Sequence, residues 1–242
     1  YLIYMYGGSA MLSALVLIYI ISDEGNSTIK LSWVVPILIF PVFGTLFYLF
    51  LTLQPGTRRI NRRIEEVGTK LRPYLLQDPE VLAHYESISA SGGNLVRYMN
   101  QYGRFPAYEN TGVRYFPLGD DMFPVLLEEL KKAEHFIFME YFIVEHGVMW
   151  DAILQVLETK VAEGVEVRFM YDGMGNLFTL PHGYEKAMQE KGIQCKIFAP
   201  VRPALSSYQN NRDHRKICVI DGHTAFTGGV NLADEYINQR VR

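Results

Sequence analysis

The chain has 242 residues and a formal net charge of −3. That length supports one substantial domain or two small ones, and the charge excludes the general basic character of a nucleic-acid binder. Its two cysteines, Cys195 and Cys218, form no CxxC pair and read as small buried apolar residues, which excludes a disulfide framework.

The chain begins at Tyr1 and reads as a piece of a longer protein that continues past Arg242. Residues 1–22 and 31–57 carry no charged side chain and are joined by the polar link DEGNSTIK. Each run is long enough to cross about 30 Å of hydrocarbon as a helix, so the pattern predicts a transmembrane helical hairpin over 1–57. Pro36, Pro41 and Gly44 are tolerated in such helices, and Trp33 and Tyr48 sit where interfacial anchors sit. A signal peptide would need a positive n-region and a cleavage site, which the first run lacks. Two buried core helices are the plainer alternative. Arg58, Arg59, Arg62 and Arg63 follow the second run, so the positive-inside rule places the rest of the chain in the cytoplasm, as part of a multi-pass cell-membrane protein. Residues 58–112 then read as a juxtamembrane segment, amphipathic over 58–76, followed by a turn-rich linker.

From Val113 a regular domain is expected to run to Arg242. Strands are predicted over 113–116, 135–144, 165–172 and 193–200, with helices over 120–133, 148–163 and 183–191. The alternation argues for an α/β domain, a mixed β-sheet flanked by helices. No GxGxxG or GxxxxGK[ST] is present, so dinucleotide and P-loop chemistry lack their signatures.

The chemical signal lies in NNRDHRKICVIDG. His214 and Lys216, two apart at a strand start, project to one side, while Arg215 projects to the other. Asp221-Gly222 is a hairpin turn signal, and HTAFT returns as the next strand. Gly228 and Gly229 remove side chains where backbone can approach a ligand, and Asn231 follows just before a predicted helix. An imidazole is a competent nucleophile for phosphoryl transfer, an ammonium matches non-bridging oxygens, and an amide adds a hydrogen bond. Asp221 would orient groups or balance charge. No metal-ligand set is visible, since the Lys216 ammonium repels a cation. Glu140, in mid-strand, is either at an exposed end or, as favoured here, held against the site's cations. Arg212 is a candidate for a lipid phosphate. Asp172, ending a strand, reads equally as a ligand-side residue or a turn aspartate.

The stretch HRKICVIDGHTAFTGGVN resembles the motif of the phospholipase D superfamily, with His214, Lys216, Asp221, Gly228, Gly229 and Asn231 in place. More narrowly, the two apolar runs, RRINRR, GNLVRYMN, FIFMEYFI and NNRDHRK resemble bacterial cardiolipin synthases. The resemblance departs at Asp213, where asparagine is expected. A carboxylate there would lower the local positive potential or raise the histidine's pKa. The resemblance implies a membrane-bound transphosphatidylase that condenses two phosphatidylglycerol molecules to cardiolipin and glycerol through a phosphatidyl-histidine. It implies no metal or other cofactor, and anionic phospholipid and the membrane as partners rather than nucleic acid. It also implies two such motifs per site, one histidine attacking and the other acting as general acid and base. The second motif would come from a missing C-terminal half or from another subunit, and this half alone is expected to be inactive. The alternatives are another phospholipase-D-type phosphodiesterase, acting on phospholipid or as a dimeric nuclease, and a catalytically silent membrane scaffold.

Overall fold

The computed structural model describes residues 2–52, 55–201 and 212–239, and the side chains of all of these except 2–6 and 55–61. The chain divides into two compact units, 1–111 and 112–242.

The first unit is helical. Its elements are α1 (Leu2–Ser22), α2 (Ser27–Ile39), α3 (Pro41–Thr52), α4 (Pro55–Leu71), α5 (Pro79–Ile88) and α6 (Ala90–Tyr98). The transmembrane hairpin expected over 1–57 is not what forms. Residues 31–57 are broken at Phe40–Pro41, leaving α2 with 13 residues and α3 with 12. Helices of that length reach about 20 Å, short of a bilayer's hydrocarbon. Pro41 has no N–H and disfavours helix at Phe40, whose φ of −127° and ψ of 75° end α2. The chain then folds back, so that a Cβ added at Gly44 would lie 2.8 Å from the Ile37 Cα. Val16, Ile20 and Ile37 bury one another, and the Thr45 hydroxyl donates to Ser13 Oγ at 2.8 Å. Among the described residues no helix is long and apolar enough to cross a membrane. The multi-pass cell-membrane topology with a cytoplasmic catalytic part, and the membrane-bound synthase built on it, are therefore corrected. In α4 the Arg62–Glu66 pair at 3.3 Å follows the i,i+4 spacing of an exposed helix.

The second unit is a mixed five-stranded sheet. Its elements are α7 (Gly119–Lys131), β1 (Phe136–Tyr141), α8 (Val148–Ala162), β2 (Glu166–Asp172), α9 (Tyr184–Glu190), β3 (Gln194–Phe198), β4 (Lys216–Ile220) and β5 (Thr224–Thr227). The strand order is β3-β2-β1-β4-β5. The first three strands are parallel, as expected when helices connect them, and β4 joins β1 antiparallel. The expected strand at 113–116 is absent. Val113 is 90% exposed and Tyr115 84%, with no neighbouring strand to pair with. The helix expected to be capped by Asp120 or Asp121 begins one residue earlier, at Gly119.

Alternation sorts the sheet into two faces. Ile137, Met139, Tyr141, Val167, Phe169, Tyr171, Cys195, Cys218 and Ile220 are buried in one core with Leu126, Leu130, Trp150, Ile153, Leu157 and Met188 from the helices. Each large side chain sealed there contributes about 1.5–3 kcal/mol. The opposite face carries Phe138, Glu140, Arg168, Met170, Lys196, Ile217 and Val219, which line a shallow groove.

Candidate active site

The chain threads its chemistry through one edge of the sheet, where the parallel strands end and β4 begins. α/β sheets commonly gather ligand-side residues at such an edge. His214 and Arg215 lie just before β4, and Lys216 is its first residue. His214 is exposed, while Lys216 is 5% exposed. Both converge on Phe142, one residue past β1. The His214 ring meets the Phe142 ring edge-on with centroids 4.7 Å apart, and the Lys216 ammonium lies 5.1 Å above the same ring. The two side chains of the HxK pair therefore share one location.

Lys216 donates to the His214 carbonyl oxygen at 2.7 Å. Among the described residues no carboxylate lies within ion-pair distance of its ammonium, and burial lowers its pKa against a weaker opposing pull from Asp213. Among the described residues one acceptor engages its three donors, so it can receive an anion. The His214 imidazole makes no hydrogen bond among the described residues, and the Phe142 ring is its aromatic contact.

The supporting shell is built from loops. Asp172, fully buried, accepts from the Met174 and Gly175 N–H groups at 2.8 and 2.9 Å and from the Asp213 N–H at 3.1 Å. It thereby ties the loop after β2 to the residue before His214. Asn176 donates to the Phe142 carbonyl at 2.7 Å and accepts from the Val144 N–H at 2.6 Å, fixing the backbone on both sides of the site. Arg212 Nη1 donates to the Ala199 carbonyl at 2.9 Å and lies 3.5 Å from Asp172 Oδ1. Asn231 accepts from the Ile143 N–H at 3.0 Å and donates to the Tyr236 hydroxyl at 2.7 Å. Its amide is engaged with this framework, and it brings the Gly228-Gly229 turn toward the end of β1. Both glycines are exposed, and a Cβ at either would meet open space.

Two expected site residues stand elsewhere. Asp221 is at the far end of β4, about 16 Å along the strand from Lys216. Its carboxylate accepts from the backbone N–H groups of Glu134, His135 and Phe136 at 2.7–2.8 Å. Partial burial alone would raise its pKa, but those donors outweigh it and bring it down to about 2. Asp221 and Gly222 take φ of 51° and 75°, and the His223 N–H returns to the Ile220 carbonyl, which is the expected hairpin turn. Glu140 lies on the open sheet face. There the Arg215 Nη2 is 2.8 Å from its Oε1, while the Arg215 Nε donates to Asp213 Oδ1 at 3.0 Å. The structure does not bring Glu140 to Lys216, which faces the helices.

Phe142, Asn176 and Tyr236 join the site without any sequence signal that marks them. Asp172 had one, its place at a strand end. Among the described residues no group of three His, Cys, Asp or Glu side chains could hold a metal ion.

Comparison with known proteins agrees with the motif. Residues 126–241 match the family described as "Cardiolipin synthase, PLD-like domain", and residues 11–51 match "Phospholipase_D-nuclease N-terminal". An uncharacterised protein of Streptococcus mutans is 45% identical over 93% of this chain and 49% of its own length. A cardiolipin synthase of Alkalihalophilus pseudofirmus is 32% identical over 92% of this chain and 44% of its own. Among solved structures, a phospholipase D family member, Nuc from Salmonella typhimurium, aligns at 20% identity over 48% of this chain and 68% of its own, with a TM-score of 0.37. The chain spans about half the length of the curated relatives it matches.

Proposed function

Because the chain carries a phospholipase-D superfamily domain related to those of bacterial cardiolipin synthases, over about half its length, we propose that it supplies one half of a phospholipase-D-type phosphodiesterase acting on phospholipid. The observation that carries this reading is the Lys216 ammonium. It is buried, it has no carboxylate partner among the described residues, and it lies beside an imidazole that is exposed and makes no hydrogen bond there.

The chemistry follows from that pair. A phosphodiester placed against Lys216 offers its phosphorus to a ring nitrogen of His214. A P–N bond forms and the P–O bond to the leaving alcohol breaks, giving a phosphohistidine. The Lys216 ammonium meets the negative charge gathering on the non-bridging oxygens in a partly dehydrated setting, where charge stabilisation is strong. The leaving oxygen takes a proton from an acid outside these residues, in keeping with relatives about twice this length. An acceptor hydroxyl then attacks the phosphorus, the P–N bond breaks, and the imidazole is restored. Water as acceptor makes the reaction hydrolysis, and an alcohol makes it transfer.

The test is incubation of the full-length protein with radiolabelled glycerophospholipid, followed by acid and alkaline quenching. The expected result is a label that is stable in alkali, labile in acid and lost in H214A. Product formation by H214A at the wild-type rate would overturn the role of His214. Phosphate-labelled products from dinucleotides, with none from phospholipid, would overturn the substrate class.

A further inference from the structure

The His214 imidazole has no hydrogen bond of its own among the described residues, so its aim is set by the backbone on either side. One side is Lys216, anchored in β4. The other is Asp213, whose side chain is 1% exposed and shares one guanidinium with a second carboxyl.

Asp213 Oδ1 accepts from Arg215 Nε at 3.0 Å, and Arg215 Nη2 lies 2.8 Å from Glu140 Oε1. Asp213 Oδ2 and Glu140 Oε1 are both sealed from solvent with no donor aligned on them. Arg215 bridges the two carboxyls, so both sealed oxygens belong to one buried cluster. Two ionised carboxylates have four acceptor oxygens and no hydrogen to offer each other, so one shared proton would give both sealed oxygens a partner. The pairing agrees. Glu140 and Asp213 share one guanidinium, Arg215, while Arg212 lies against Asp172 and the Lys216 ammonium draws on Asp213 only weakly. Other charges on this face are Arg168, paired to Glu166 at 2.6 Å, and Lys196 on β3. On β4 the same face offers only Ile217 and Val219.

We infer that Glu140 and Asp213 share a single proton, and that Glu140, through Asp213, is a positioning residue for His214. The positioning half rests on the reading of His214 as the nucleophile, whereas the shared proton stands without it. The energetics run the same way. Burial first, and Asp213 second, push the Glu140 carboxyl up to about 7 against the pull of Arg215. Burial also acts to raise Asp213, but hydrogen bonds from Glu140 and Arg215 outweigh it and the net shift is downward. When the proton leaves to solvent, two carboxylates confront each other inside the protein. Asp213 is pushed from Glu140, and His214 moves with it.

The experiment is carboxyl-carbon NMR of the chain, labelled at Asp and Glu side chains and followed through pH, with ring-proton contacts between His214 and Phe142 recorded in parallel. The expected wild-type result is a Glu140 midpoint near 7, lowered by more than about one pH unit in D213N. Glu140 titrating in the ordinary carboxylate range in wild type would overturn the shared proton. The His214–Phe142 contact should weaken above that midpoint in wild type and persist in E140Q, whose amide donates to Asp213 without titrating. A contact that ignores the midpoint would overturn the positioning role. In the full-length protein, E140Q should remove an alkaline fall in turnover that E140A does not rescue. Absence of turnover in every variant, with the NMR behaviour intact, would overturn the phosphodiesterase reading and leave the shared proton standing.

Discussion

The Lys216 ammonium donates to the carbonyl oxygen of His214 at 2.7 Å, so the cation of the HxK pair holds the backbone of its own histidine. On the proposed reading one side chain does two things: it fixes where the imidazole starts, and it offers an anion the donors that the described residues leave open. Replacement separates these. K216M keeps the buried stem over Phe142 and removes the charge. Turnover of the full-length protein is expected to fall by about 10²–10³-fold, the scale of a lost charge stabiliser. Thermal stability should hold or rise, because an unpaired buried charge is removed. Unfolding monitored by circular dichroism, alongside product assay, checks both halves.

Asp221 fastens the start of β1 by accepting three backbone N–H groups. D221A leaves those donors to water and should lower stability by about 1–2 kcal/mol, as loss of a cap does. The pH dependence has a definite sign. The folded carboxyl titrates at about 2, below its ordinary 3.8. Its contribution is therefore present above 3.8 and is lost as pH falls toward 2. D221N should flatten that limb in acid denaturation followed by fluorescence.

Glu140 carries the opposite sign. Its folded carboxyl is raised from 4.5 to about 7. Relative to the unfolded chain, its contribution is full below 4.5 and lost as pH rises through 7. Urea midpoints of wild type should drift downward across that window, and those of E140Q should not. A parallel drift in both proteins would place its source elsewhere.

Gly44 lies against the backbone of α2, where an added Cβ would sit 2.8 Å from both the Pro36 carbonyl oxygen and the Ile37 Cα. Backbone cannot yield as a side-chain tip does, so G44V should separate α3 from α2 at a cost of about 1–3 kcal/mol. Faster hydrogen exchange confined to α2 and α3 is the expected signature. Unchanged exchange there would mean that the close approach is not made.

Much of the second unit was legible because its signals are local. Asp221-Gly222 requires two left-handed residues in succession, and the chain makes that turn. Bulky residues at alternate positions of FIFMEY make β1 whichever partners it finds. The failures were failures of context. VRYF has the composition of a strand, yet no neighbour pairs with it, and a strand without a partner has no ladder. The uncharged run 31–57 has the composition of a span, but Phe40–Pro41 turns it back on itself before it is long enough. Glu140 is held by Arg215, which chain order does not pick out, because strand alternation says which face a carboxylate takes but not which cation waits there.

The sequence by itself determined the pairing of imidazole and ammonium, since a two-residue spacing at a strand start puts both on one side whatever surrounds them. Only the tertiary structure decided what each carboxylate does. Asp221 reaches a backbone 85–87 residues away, and Asp213 shares Arg215 with a glutamate of β1. A carboxylate's role is set by the donors that reach it through space, and chain order does not carry that information.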